Sequence, residues 1–351
     1  MLAWLATFRY TQYMTLSEIT GDTRAILKWA VRILGFIIIL FLVFKIKDAI
    51  FPAPPPPPTV GFGKLPSPEF PKSASNKNFT YSLDTITGSL PVFPTSQKVF
   101  RMLETQPDLL SLSKALKKAK SIGFEGAPVK ISENVYQWKD LKKGRTLTMN
   151  ILNFNFNLSS DFLGNPNSKT FDKDTDFAIS VAKDFLQRMN LFQNDLDEVK
   201  TKTELFSIKN FSIVPSTSLS NSQIIRVNFF QKPFNSLPIY YPQNSLSPLN
   251  FLIGKLSGEI QVVEANFFYQ KPSDISSTYP IKTAKEAFSD LKNGKGYVST
   301  APATSNVLIK KVSVGYYISE KKQNFLLPIV VFEGENFQAF VTAVTDEWVN
   351  K

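Results

Sequence analysis

The chain has 351 residues, 43% of them hydrophobic, and a formal net charge of +11, which is length and apolar content enough for a sizeable core and excludes a disordered tail. It contains no cysteine and no histidine, so disulfides, thiol nucleophiles, imidazole bases, haem ligation and the usual zinc sites are excluded together. Beyond residue 72 the charge excess is mild, 32 Lys/Arg against 25 Asp/Glu; no basic block interleaves with aromatics as a nucleic-acid surface requires, and nucleic acid is not an expected partner.

The first element is apolar. Ile33 to Phe44 read ILGFIIILFLVF, about 18 Å as a helix and short of the ~30 Å hydrocarbon core. Extended over residues 29–51 the segment reaches about 34 Å, with Trp29 at one interface and Arg32, Lys45 and Lys47 snorkelling outwards. The expectation is a single-pass anchor over 29–51 in contact with the lipid bilayer. A cleaved signal peptide is the competing reading; no small-x-small cleavage site follows, and Pro52 intervenes. Arg9, Arg24, Lys28 and Arg32 outnumber Lys45 and Lys47, which orients residues 1–28 to the cytoplasm and places the remainder outside, at the cell membrane.

Residues 52–72, PAPPPPPTVGFGKLPSPEFPK, read as a proline-rich spacer. Pro54 to Pro58 enforce an extended rod, which at ~3.1 Å per residue gives a stand-off of up to about 60 Å. A ligand for a proline-binding groove is the alternative, but such ligands belong to cytoplasmic signalling.

Three rounds of one pattern follow, an amphipathic helix and then strands, giving modules at 73–170, 171–275 and 276–351. The first helix is expected near Leu109–Ile122 with Leu112, Ala115, Leu116 and Ala119 inward and Gly123 as its stop. Its lysines, Lys114, Lys117, Lys118 and Lys120, read as a solvated face. Strands are expected at Val129–Trp138 and Thr146–Leu158, with a β-bulge at Ile151/Leu152 where the alternation slips. The second helix is expected at Thr175–Met189, followed by strands near 204–214, 223–231, 237–241 and 250–270, with Ser257-Gly258 as a hairpin turn. The third helix opens on a capping box, Thr283 with Glu286, and stops at Asn293-Gly294; strands at 307–318, 325–333 and 337–344 complete a meander. The fold class is α+β, each helix packing one face of its own small antiparallel sheet.

The segments YPIKTAKEAFSDLKNGKGYV and VSVGYYISEKKQNFLLPIVVFEGENFQAFVTAVTDEW resemble the PepSY-like modules of the extracytoplasmic YycH/YycI regulators of bacterial two-component sensors. The resemblance covers the last 70 or so residues best and, more loosely, everything from Asp174 onward; the spacer and the first round lie outside it. It implies an anchored, outward-facing domain of repeated modules with an interaction or regulatory role and no catalysis.

Other patterns point to chemistry more weakly. Ser111/Lys114, Ser180/Lys183 and Ser319/Lys322 have the spacing of a serine nucleophile and its lysine, but no Ser-Asp-Asn follows and only Lys282-Thr283-Ala284 approximates a Lys-Thr-Gly element. Asp172, Asp174 and Asp176 alternate like the opening of a calcium loop, yet Phe177 and Lys183 stand where the turn glycine and the bidentate glutamate belong; capping of the second helix is the competing role. No catalytic, cofactor-binding or metal residue is otherwise singled out, and no cofactor is expected. Adjacent aromatics, among them Phe229/Phe230, Tyr240/Tyr241, Phe267/Phe268/Tyr269 and Tyr316/Tyr317, imply either a core buried on both sheet faces or a binding surface.

These observations lead to a membrane-anchored, non-enzymatic envelope protein that binds a protein partner. A binding module for peptides or anionic wall polymers and an anchored Ser/Lys hydrolase are the alternatives.

Overall fold

The protein is described here by a computed structural model covering residues 27–43, 57–73, 78–164, 171 and 173–350, which divides into two units, Met1–Pro57 and Pro58–Lys351. In the first, helix α1 occupies residues 27–43, and Leu34, Phe36, Ile39 and Phe41 on it are all exposed. Trp29, Arg32 and Ile33 lie on this helix, the Arg32 guanidinium 5.6 Å from the centroid of the Trp29 ring. Phe44, Lys45 and Lys47 lie outside the described residues, so the expected anchor is represented only as far as Val43. Among the described residues no helix is long and apolar enough to cross a membrane.

The second unit opens with β1 (Thr80–Leu83), β2 (Ser96–Met102), α2 (Ser111–Ser121), β3 (Val129–Lys130), β4 (Val135–Asp140), β5 (Arg145–Asn150) and β6 (Phe156–Ser160). It continues with α3 (Thr175–Arg188), β7 (Leu196–Lys209), β8 (Ser212–Pro215), β9 (Ile224–Gln231), β10 (Ile239–Tyr240), β11 (Leu249–Leu256) and β12 (Glu259–Phe267). The last stretch holds β13 (Pro272–Pro280), α4 (Ala284–Lys292), β14 (Tyr297–Thr300), β15 (Asn306–Tyr317), β16 (Phe325–Gly334) and β17 (Phe337–Thr342).

Local chemistry sets the helix limits. At α4 the Thr283 hydroxyl accepts from Glu286 N at 3.2 Å and the Glu286 carboxylate accepts from Thr283 N at 2.8 Å, the two halves of a capping box. Asp174 caps α3 by accepting from Phe177 N at 2.8 Å. Gly123 and Gly294, both at positive φ, end α2 and α4.

Nine strands form one antiparallel sheet in the order β3-β4-β5-β6-β12-β11-β9-β7-β8. Helices α2 and α3 cover the same face of it: Ala115 and Ala119 from one, Ala178, Ala182, Phe185 and Leu186 from the other, join Leu147, Phe156 and Phe251 in a single core. The expectation of a separate sheet for each helix is therefore corrected. The join is β6 against β12, where Phe156 pairs with Phe267 and their rings stack 5.3 Å apart; both strands carry apolar side chains on that face, so continuing the sheet buries more than closing two small ones.

A second sheet centres on β15 and β16, with β17 and β14 beyond β16 and with β1 and β10 running parallel to β15. Strand β2 pairs with both β13 and the start of β16, and α4 covers this sheet through Ala287, Phe288 and Leu291. Since β1 and β2 belong here while β3 to β6 belong to the nine-stranded sheet, the segment 73–170 contributes to both.

Two further expectations change. The stretch Thr146–Leu158 is not one bulged strand but a hairpin, β5 and β6, because the Asn150 and Asn153 side chains accept from Leu152 N and Asn155 N at 2.9 Å each and fold the chain back. The spacer is not a free rod to residue 72. From Thr59 onward it lies on the second sheet: Val60 N donates to Thr278 O at 3.0 Å, and Leu65 is wholly buried. Phe70 stacks on Tyr297 with centroids 5.5 Å apart. Apolar residues interspersed among the prolines have found pockets, and that burial holds the strap down.

Candidate functional site: a cationic cleft at the junction of the two sheets

The chain passes from the nine-stranded sheet to the other through Phe268–Lys271, between β12 and β13, and there the surface opens into a cleft of about 770 Å³, within the range of ligand pockets. Its walls come from the segment after β2, from α2, from the β5–β6 turn, from the end of α3 and from the β15–β16 turn. Six cations line it, Lys114, Lys117, Lys118, Arg188, Lys271 and Lys322, against one acid, Glu104.

These cations are not equivalent. Lys118 donates to Met189 O at 2.6 Å and Asn190 O at 3.1 Å, capping the C-terminus of α3 from the neighbouring helix. Its ammonium lies 4.9 Å from the Phe154 ring centroid, and burial pushes its pKa down. Lys114 pairs with Asp108. Lys117, Arg188, Lys271 and Lys322 are exposed and make no ion pair among the described residues. A second open cavity, beside Lys120, Lys139 and Lys142, also includes Arg188, but two of its cations are neutralised: Arg145 by Asp140 at 2.7 Å and Lys143 by Glu259 at 3.7 Å.

The floor of the cleft is held by a polar network. Tyr269 donates to both oxygens of Asp195 at 2.9 Å, and burial together with that carboxylate pushes its phenol well above the usual range. Gln231 donates to Asp195 and to Gln270 O, each at 3.1 Å, and accepts from Tyr241 at 3.1 Å. The Gln270 amide donates to Ser319 O at 3.1 Å and Lys321 O at 3.0 Å. The network thus ties β9 to the β15–β16 turn across the sheet junction, fixing the cleft walls. Phe154 adds a strained element to the lining, since it holds φ 59° in the left-handed region.

The other sequence-derived candidates resolve as follows. In none of the three Ser/Lys pairs is the serine hydrogen-bonded to its lysine: Ser111 accepts from Asp108 N, Ser180 donates to Phe177 O, and Ser319 donates to Lys321 O. Lys282 is nearly buried against Asp290 at 2.7 Å and Asp346 at 2.6 Å, a structural ion triad. Asp174 is a helix cap and Asp176 lies in the first turn of α3, while Asp172 falls outside the described residues. Among the described residues no cluster of three or more metal-type ligands occurs. The paired aromatics divide: Phe229, Tyr241, Phe267, Tyr316 and Tyr317 are core, whereas Phe268 and Tyr269 face the cleft. Sequence reasoning treated the α2 lysines as solvent-facing, singled out Lys322 only as the partner of Ser319, and missed Lys271 altogether. The absence of any acid on α2, SLSKALKKAKS, was the one signal available.

The fold and cleft define an α+β domain built on two large sheets with an open, cation-lined cleft. The chain matches no protein-family model and no curated protein. Among solved structures it is similar to an uncharacterized protein from Eubacterium rectale, at 13% identity and a TM-score of 0.39 over 70% of this chain and 82% of that one. It is also similar to the YpeB C-terminal domain of Bacillus megaterium, at 13% identity and a TM-score of 0.33 over 69% and 95% of the two chains. A third is YycH from Bacillus subtilis, at 9% identity and a TM-score of 0.31 over 72% and 54%. These likenesses are distant, and none says what this chain does.

Proposed function

We propose that the protein is a membrane-tethered, extracytoplasmic interaction protein that regulates by binding a partner protein in the cleft at the sheet junction. The observation carrying this reading is the cleft itself. Its cations, five lysines and one arginine, converge from separate segments on a floor of Met and aromatic side chains, and that apolar part is what protein interfaces favour at their centre. Among the described residues its hydrogen bonds assemble no nucleophile with a base.

The tether is part of the proposal. Beyond Lys28 and Arg32 near its start, helix α1 is apolar and exposes those side chains; in water such a helix is unfavourable, and a bilayer is the environment that accommodates it. The positive-inside bias favours a cytoplasmic side for the residues before Lys28.

Photoreactive residues placed at Lys117 and Lys322 in intact cells test the reading. Capture of one dominant protein is the expected result. Diffuse capture of wall polymer, or hydrolase activity of the purified protein abolished by a single Ser or Asp substitution, would overturn it.

A further inference from the structure

We infer that the cleft takes an extended, acidic peptide segment that also carries apolar side chains; this rests on the protein-binding reading above and adds the chemistry of the partner. Three observations separate such a peptide from a simple polyanion.

First, the unpaired charges are arranged as a rim. Lys117 stands on α2, Arg188 at the end of α3, Lys271 before β13 and Lys322 in the β15–β16 turn, and all four are exposed without an acidic partner among the described residues. Four separated cations match carboxylates spaced along an extended chain, since successive side chains of such a chain alternate in direction.

Second, the floor is apolar. Met102, Phe154, Phe268 and the ring of Tyr269 form it, and Leu103 stands 57% exposed at its edge. A phosphate polymer gains nothing from that surface, whereas Leu, Ile or Phe side chains pointing away from the rim would bury against it.

Third, the Asn190 side-chain amide lines the cleft and makes no hydrogen bond among the described residues. It offers a donor and an acceptor together, the pair that a peptide bond requires. The cost of holding Phe154 in the left-handed region is understandable if the ring is placed for this contact.

The test uses the full chain and fluorescence anisotropy with a labelled peptide alternating Glu and Leu, compared with Glu/Gly and Lys/Leu peptides and with inorganic polyphosphate. The Glu/Leu peptide is expected to bind, the Glu/Gly peptide about tenfold more weakly or worse, and the Lys/Leu peptide not at all. The double variant Arg188→Glu with Lys271→Glu should lose about tenfold or more, and Leu103→Ser should weaken Glu/Leu while leaving Glu/Gly unchanged. All three positions are exposed, and an unchanged urea midpoint confirms that the fold is intact. Equal binding of Glu/Gly and polyphosphate, or Glu/Leu binding indifferent to the variants, overturns the inference. If crosslinking captures a partner whose contact segment is neutral or basic, this inference falls and the protein-binding reading stands; if only wall polymer is captured, both fall.

Discussion

Gln270 and Gln323 lock each other across the junction of the two sheets: the Gln323 backbone amide donates to Gln270 Oε1 at 3.0 Å, while the Gln323 side chain accepts from Ser319 N at 2.9 Å and donates to Tyr317 O and Phe325 O at 3.0 Å each. Each side chain thus bonds backbone groups in or beside the β15–β16 turn, and together they shape the wall that carries Lys322.

Gln323→Ala removes three of these bonds at once and leaves half-buried peptide groups unpaired. A loss of about 2 to 3 kcal/mol is expected from urea denaturation. Ligand affinity should fall as well, since the turn bearing Lys322 loses its internal support. Lys322→Ala, by contrast, should reduce affinity with an unchanged urea midpoint.

The ion triad of Lys282 with Asp290 and Asp346 is close to buried on two of its three members, with side-chain exposures of 10% and 13% for Lys282 and Asp290. Lys282→Ala leaves Asp290 with Lys295 alone, 3.1 Å away, and should cost about 2 kcal/mol. Lys310→Ala, which breaks a pair 51% and 79% exposed, should cost less than about 0.5 kcal/mol. Equal effects in thermal melts would contradict this division.

Acid should act through the same triad. Burial raises the pKa of Asp290, but hydrogen bonds and charge from Lys282 and Lys295 outweigh it and hold the carboxyl below its ordinary 3.8. A depressed carboxylate contributes stability that is present above its unfolded value and lost as pH falls through the folded one. Acid destabilisation is therefore expected below about pH 4, and Asp290→Asn should flatten that limb of a stability profile. At the alkaline end, burial pushes Tyr316 up to about 12 from 10.0, so its contribution is full below pH 10 and declines as pH rises towards the folded value. With no histidine and no cysteine in the chain, stability and cleft charge should stay nearly flat between about pH 5 and 9.

Features encoded within a few residues of one another were legible in the sequence. The Thr283/Glu286 box, the Ser257-Gly258 turn with both residues at positive φ, and the inward Ala115 and Ala119 of α2 all appear where the local pattern puts them. What escaped depends on chain crossings. The slip at Ile151/Leu152 has the same periodicity whether it marks a bulge or a turn, and only the Asn150 and Asn153 side chains distinguish the two. No local signal announces that β6 continues onto β12, or that Lys271 and Lys322 meet α2. The cleft is a product of topology, and its cations are more than 200 residues apart in sequence between Lys114 and Lys322.

Leu65 tests the strap. Fully buried between Val99, Tyr279 and Val344, its replacement by Ala should cost about 3 kcal/mol. In limited proteolysis, cleavage near Lys64 should speed up in that variant well before the nine-stranded core opens.

The bridge that Leu65 makes with Val349 has a mechanical side. Leu65 N donates to Trp348 O and Leu65 O accepts from Asn350 N, each at 2.8 Å, so the entry and exit of the folded unit are fastened at one point and run parallel. Removing the last residues from Trp348 onward therefore unfastens the beginning of the domain as much as its end. A pull arriving through the proline run would first load the Thr59 and Val60 bonds to Thr278 of β13 and then this clasp.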